Sequence, residues 1–228
     1  MEVIFIPNYI CSDDDVLSIS LCHKLVHLSV DCRSATRSFV KRIPDFKNLK
    51  CLDIYLSVES FPPEVVAQFY RHSKIAQLTD LYLFYDGKFD DDLMMAISQC
   101  RVLKILHLES SVYERSDVTT DGLLLISRHC HLLQKMALKF GIKYSFYEDT
   151  FEHEFCPEEL LPHLKFVHTE FYWGQSFTRK FLKHNKSIVS WLQPSYLMVK
   201  TGTPRQDILN AFGYRSFANI CFNDIFEF

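Results

Sequence analysis

One short phrase, apolar-x-x-apolar-x-apolar, returns along the whole chain and restricts its fold more than any single motif does. It reads Leu103-x-x-Leu106-x-Leu108 in "CRVLKILHL", and recurs at Leu25-Leu28-Val30, Leu49-Leu52-Ile54, Leu78-Leu81-Leu83 and Leu133-Met136-Leu138. Weaker copies lie around Leu164-Val167 and Ile188-Trp191, and Met1-Ile4-Ile6 and Phe217-Ile220-Phe222 fit at the two ends. The central residues are Ile4, Leu28, Leu52, Leu81, Leu106, Met136, Val167, Trp191 and Ile220, at steps of 24, 24, 29, 25, 30, 31, 24 and 29 residues. Apolar residues two apart point to one face of a strand, so each phrase predicts a short strand. Between phrases lie helical stretches. "DDDLMMAISQC" (90–100), "TTDGLLLISRHC" (119–130) and "DDDVLSISLC" (13–22) open with polar or acidic residues suited to a helix start. "PPEVVAQFYRHSKI" (62–75) opens with prolines, which a first helical turn tolerates.

Strand then helix, repeated at about 20–30 residues, is the period of a leucine-rich repeat. The expected fold class is α/β: a right-handed solenoid of eight to nine irregular repeats, with a curved parallel sheet and helices on its convex side. Residues 1–228 are expected to form this one domain, and because neither end carries an obvious polar cap, either it is a fragment of a longer protein or a partner covers its ends.

The repeat also explains a stretch that looks like chemistry. His129-Cys130-His131 could be read as metal ligands or as a thiol with its base. Yet Cys130 stands three residues before the first leucine of its phrase, as do Cys22 and Cys100, while Phe46, Ile75 and Leu161 fill the same place elsewhere. A slot that takes Cys, Phe, Ile or Leu is an apolar slot at a helix end. No Cys-x-x-Cys or His-x-x-x-His pair is completed by a second pair, and His153 with Cys156 fares no better. No metal and no cofactor are expected. Phosphate-binding loops and hydrolase elbows are absent, and the chain has only 6 glycines. Enzymatic activity, cysteine-dependent or metal-assisted, is the remote alternative.

The formal net charge of −3 provides no general attraction to nucleic acid or to anionic membrane, and neither is an expected partner. No run of some eighteen apolar residues exists for a membrane span. "MEVIFIPNYICSDDD" lacks a basic leader, so it is not expected to act as a signal peptide, and the 8 cysteines are expected to be reduced thiols of a cytoplasmic or nuclear protein.

The Asp…Cys-x-x-Leu-x-x-Leu-x-Leu arrangement resembles the cysteine-containing repeats of F-box leucine-rich-repeat proteins, and the wider ribonuclease-inhibitor-like class, over nearly the whole chain. The resemblance implies a domain without catalytic residues that binds proteins and presents them to a ubiquitin ligase. Through an F-box upstream it implies a Skp-type adaptor as a further partner. The F-box itself is missing: "FPPEVVAQF" (61–69) is similar to its opening, but Leu78 follows too soon for a three-helix module. The family's Asn or Cys three residues after the last leucine is also replaced, by Arg33, Ser57, Asp86, Ser111, Gly141 and Tyr172. A stand-alone adaptor or regulator without a ligase role is the alternative.

Residues between the leucines face away from them, so the candidate binding surface can be read off. It comprises Asp53 and Tyr55, Tyr82 and Phe84, His107 and Glu109, and further along Lys139 and His168. Aromatics flanked by carboxylates suit a protein partner better than a phosphate backbone. The segment 139–159, which alternates aromatic and acidic residues, is either a second contact or a loop that folds back to protect the local core.

Overall fold

The structure, a computed structural model, describes residues 2–10, 12–33, 46–71, 75–110, 116–140, 161–169, 190–192 and 199–200. The expectations for Ile220, for His153 with Cys156 and for residues 141–159 lie outside them. The chain forms an α/β fold around an open sheet of nine strands in sequence order. These are β1 (Val3–Ile10), β2 (His27–Asp31), β3 (Cys51–Leu56), β4 (Asp80–Tyr85), β5 (Ile105–Ser110), β6 (Lys135–Lys139), β7 (Phe166–Thr169), β8 (Ser190–Leu192) and β9 (Val199–Lys200). Among the described residues four helices intervene: α1 (Asp13–Ser20), α2 (Pro63–Tyr70), α3 (Asp91–Ser98) and α4 (Thr120–His129), with a 3-10 turn at Ile75–Gln77. No helix among the described residues is long and apolar enough to cross a membrane.

The register follows the phrase. Ile4, Leu28, Leu52, Leu81, Leu106, Met136, Val167 and Trp191 stand opposite one another across parallel pairs from β1 to β8. Two backbone devices set it. In five of the phrases the first leucine donates its N–H to the carbonyl three residues back: Leu25 to Cys22, Leu49 to Phe46, Leu103 to Cys100, Leu133 to Cys130 and Leu164 to Leu161, all at 3.0–3.1 Å. This tight turn is the physical meaning of the Cys-x-x-Leu spacing. One residue on, a single carbonyl accepts two N–H groups from the next repeat: Glu2 from Val26 and His27, Val26 from Lys50 and Cys51, and so on to Gln134 from Lys165 and Phe166.

The apolar positions of β2 to β7 and the inner faces of the helices make one buried cluster. Cys100 and Cys130 lie fully inside it, and Phe46 and Leu161 nearly so, whereas Cys22 is half-buried. Ser12 caps α1 in a reciprocal capping box with Asp15, and Asp90 caps α3 by accepting from the Leu93 N–H at 2.8 Å. Asp91 ties the start of α3 to the start of α4, accepting from the N–H and hydroxyl of Thr119 at 2.8 and 2.6 Å. That contact explains a glycine inside α4, because a Cβ at Gly122 would collide with the Asp91 carboxylate. "FPPEVVAQF" lies on the helix between β3 and β4 and on the turn leading into it.

Two features depart from expectation. The ninth strand was expected at Phe217–Phe222, outside the described residues; the ninth strand found is Val199–Lys200, antiparallel to β8. Only residues 193–198 separate the two, and a parallel crossover needs about a dozen or more. Second, the inward pattern runs two residues past the last leucine, through the buried Cys32, Leu56, Tyr85, Ser110 and Phe140. A buried layer closes this end of the strands. Phe61, Phe89 and Val118, each two residues ahead of a helix, lie fully buried, and the Tyr85 hydroxyl donates to the Phe61 carbonyl at 3.0 Å.

Candidate functional site

On the face opposite the leucines, strand pairing lines up the polar residues in rows. One row runs Ser29, Asp53, Tyr82, His107, Ala137, His168, and the next runs Asp31, Tyr55, Phe84, Glu109, Lys139. All eight residues expected to form the surface therefore lie on one continuous face. Strand spacing of about 4.8 Å puts Asp31 and Lys139 roughly 19 Å apart along their row.

The face is less open than alternation alone suggests. In β3, β4 and β5 inner and outer residues alternate strictly between buried and half-buried. In β2 and β6 the outer residues Ser29, Asp31, Ala137 and Lys139 are buried as well. The half-buried middle, Asp53 to Glu109, is the accessible part.

At the β2 end the Asp31 side chain is 1% exposed and holds the Arg33 guanidinium, itself 47% exposed, with the shortest contact at 2.7 Å. Arg33 Nε donates to both Asp31 oxygens at 3.1 and 3.0 Å, a fork that fixes the group in place. That hydrogen bond and the Asp31 charge push the Arg33 pKa up against the opposing effect of burial. The guanidinium lies 4.7 Å above the Tyr55 ring, and Tyr55 meets Phe84 edge-on at 4.2 Å. Arg33 escaped the sequence reading because it follows the strand. Its signal is the Asp-x-Arg pair, since a buried aspartate requires a partner.

In the middle, Asp53 accepts from the Ser29 hydroxyl at 2.8 Å, and the Tyr82 and His107 rings lie 6.1 Å apart. Burial, reinforced by Cys51, Asp80 and Asp53, pushes the Tyr82 phenol up, so it meets a partner as a neutral hydroxyl. Burial with Asp80 and Asp53 pushes Cys51 up to about 12, and burial does the same to Cys130. Protonated thiols are poor nucleophiles.

At the other end one oxygen, Glu109 Oε2, accepts from His107 Nε2 at 3.0 Å and from Lys139 Nζ at 3.2 Å. Burial alone would raise the Glu109 carboxyl, but the His107 hydrogen bond and charge, with Lys139, hold it down at about 2. The Lys139 side chain is 3% exposed, so its work lies within this cluster rather than at an open surface. Burial, then the positive charges of Lys139 and His107, bring His168 down to about 3 and keep it neutral.

His129, Cys130 and His131 do not converge. Cys130 is buried, His129 Nδ1 lies 2.9 Å from the Leu125 carbonyl, and His131 is exposed. Among the described residues no three His, Cys, Asp or Glu side chains gather as metal ligands would. No protein-family model matches the chain, and no curated protein matches it.

Proposed function

We propose that the chain is a leucine-rich-repeat solenoid that binds another protein through the half-buried face of β3 to β5, as the substrate-recognition part of a ubiquitin ligase of the F-box type. The observation that carries the binding reading is the aromatic group Tyr55, Phe84 and Tyr82, set in register between a clamped Arg33 and Glu109. Tyrosine and arginine are the side chains that most often dominate interface energy, and here their positions are fixed before a partner arrives. The ligase reading rests on the resemblance of the repeats alone. Raised thiol pKa values at Cys51, Cys100 and Cys130 favour a binder over a cysteine-dependent enzyme.

Proximity labelling and cross-linking in cells would identify the partner, and titration of the purified pair would test the face. Tyr82→Ala and Phe84→Ala should each weaken binding about tenfold or more, with little change in melting temperature. Gln99→Ala, just past the end of α3, should leave affinity unchanged. The reverse pattern would move the site to the helices. A Skp-type adaptor co-purifying with the full-length gene product is the outcome expected of the ligase reading, and an adaptor-free complex would leave a plain scaffold.

A further inference from the structure

The turns that lead into the strands carry a segregated charge. The segments 21–26, 46–50, 75–79, 100–104, 130–134 and 161–165 connect to the N-terminal ends of β2 to β7 and form one rim of the sheet. They contain Lys24, Lys47, Lys50, Arg101, Lys104 and Lys165, all exposed, and no Asp or Glu. This occurs in a chain with 28 acidic and 25 basic residues. No described carboxylate forms an ion pair with any of the six. Acids collect instead at the other ends of the strands, at Asp86, Asp90, Asp91 and Asp117. Complementing the helix dipoles does not explain the segregation. That effect fades within one turn, whereas Lys104 lies six residues past the end of α3 at Ser98.

The lysines are placed by the backbone. The doubly accepting carbonyls form the ladder Glu2, Val26, Lys50, Thr79, Lys104, Gln134, whose last member binds the Lys165 N–H at 2.8 Å. Lys50, Lys104 and Lys165 thus recur on every second strand, about 9.6 Å apart, along a strip of roughly 19 Å. Exposed aliphatics share the rim: Leu21 is 73% exposed, Leu132 41%, Val102 39% and Val26 37%. They make up four of the seven large apolar side chains exposed among the described residues.

We propose that this rim is a second binding surface, separate from the β3–β5 face, which takes an extended acidic segment of a partner protein. A polyproline II chain advances about 3.1 Å per residue with three residues per turn, so an acidic side chain at every third position would stay on one side and meet successive lysines, with apolar residues between them beside the rim's valines and leucines. Single-stranded nucleic acid is met by aromatic platforms, and the one Phe, Tyr or Trp in these segments, Phe46, is buried. A narrow line of charge also fits an extended chain better than the plane of a bilayer.

The test measures fluorescence anisotropy of a labelled peptide of about ten residues, with glutamate at every third position and leucine or proline between, against the full chain. Saturable binding is expected that weakens with added salt and falls roughly tenfold or more when Lys50→Glu, Lys104→Glu and Lys165→Glu are combined. A combined Lys→Gln variant, with far-UV spectra and melting checked, guards against misfolding. Tyr82→Ala should leave this affinity intact, which separates the rim from the β3–β5 face. Tighter binding to oligouridine or to phosphatidylserine vesicles, indifference to the lysine changes, or no peptide binding would each overturn the proposal.

Discussion

Glu109 and His168 bias the same pH range from opposite chemistries. The Glu109 carboxyl sits at about 2 in the folded chain against an ordinary 4.5, and the His168 imidazole at about 3 against 6.5. For both groups the unfolded chain takes up a proton at a higher pH than the folded one. Both therefore make stability rise with pH, and their contributions are lost on acidification. The His168 contribution begins to fall below about pH 6.5 and is followed by that of Glu109 below about 4.5. Urea unfolding at pH 7 and pH 5 should show a clear loss of stability at the lower value, and His168→Gln should reduce that loss. An equal drop in the variant would mean that the imidazole is protonated in the folded chain. The strand pattern places His107, Glu109 and Lys139 on one face, but no sequence pattern says that His107 and Lys139 share one Glu109 oxygen. The burial of Lys139 depends on what covers β6, which alternation does not encode.

Along each strand the pattern was legible where one face is an unbroken apolar core. Strands β3, β4 and β5 pair with matched ends, and the first two buried residues of each are the ones expected from the phrase. The position two past the last leucine escaped because Cys32, Leu56, Tyr85, Ser110 and Phe140 share a place but no residue type. The antiparallel β9 escaped because the length of its connection, not its own residues, sets its direction. If the register is right, Leu81→Ala and Leu106→Ala should each cost about 2–5 kcal/mol, since both side chains are fully buried and leave cavities. Tyr82→Ala in the position after Leu81 should cost clearly less, because its ring is half-buried on the outer face. Chemical denaturation of the three variants measures this directly. Equal losses at inner and outer positions would mean that the strands are turned over.

Over the whole molecule, each strand pairs only with its sequence neighbours, and α2 packs on α3 as α3 packs on α4. Stability in such an array is carried by its strand–helix units and by the contacts between adjacent units, and among the described residues the larger contacts join sequence neighbours. A cavity in the middle should therefore act locally. Leu106 lies between Leu81 and Met136, so Leu106→Ala removes packing from β4, β5 and β6 together. Native-state hydrogen exchange is the suited measurement, because it reports the opening free energy of each segment separately. In the variant, amides of β5 and its two neighbours should lose protection first, while those of β2 and β3 keep most of theirs at low denaturant. The denaturant slope should also fall below that of the parent chain, because a shorter array then unfolds as one unit. A uniform loss of protection from β2 to β7 with an unchanged slope would instead require coupling between strands that never touch, and the nearest-neighbour account of this fold would fail.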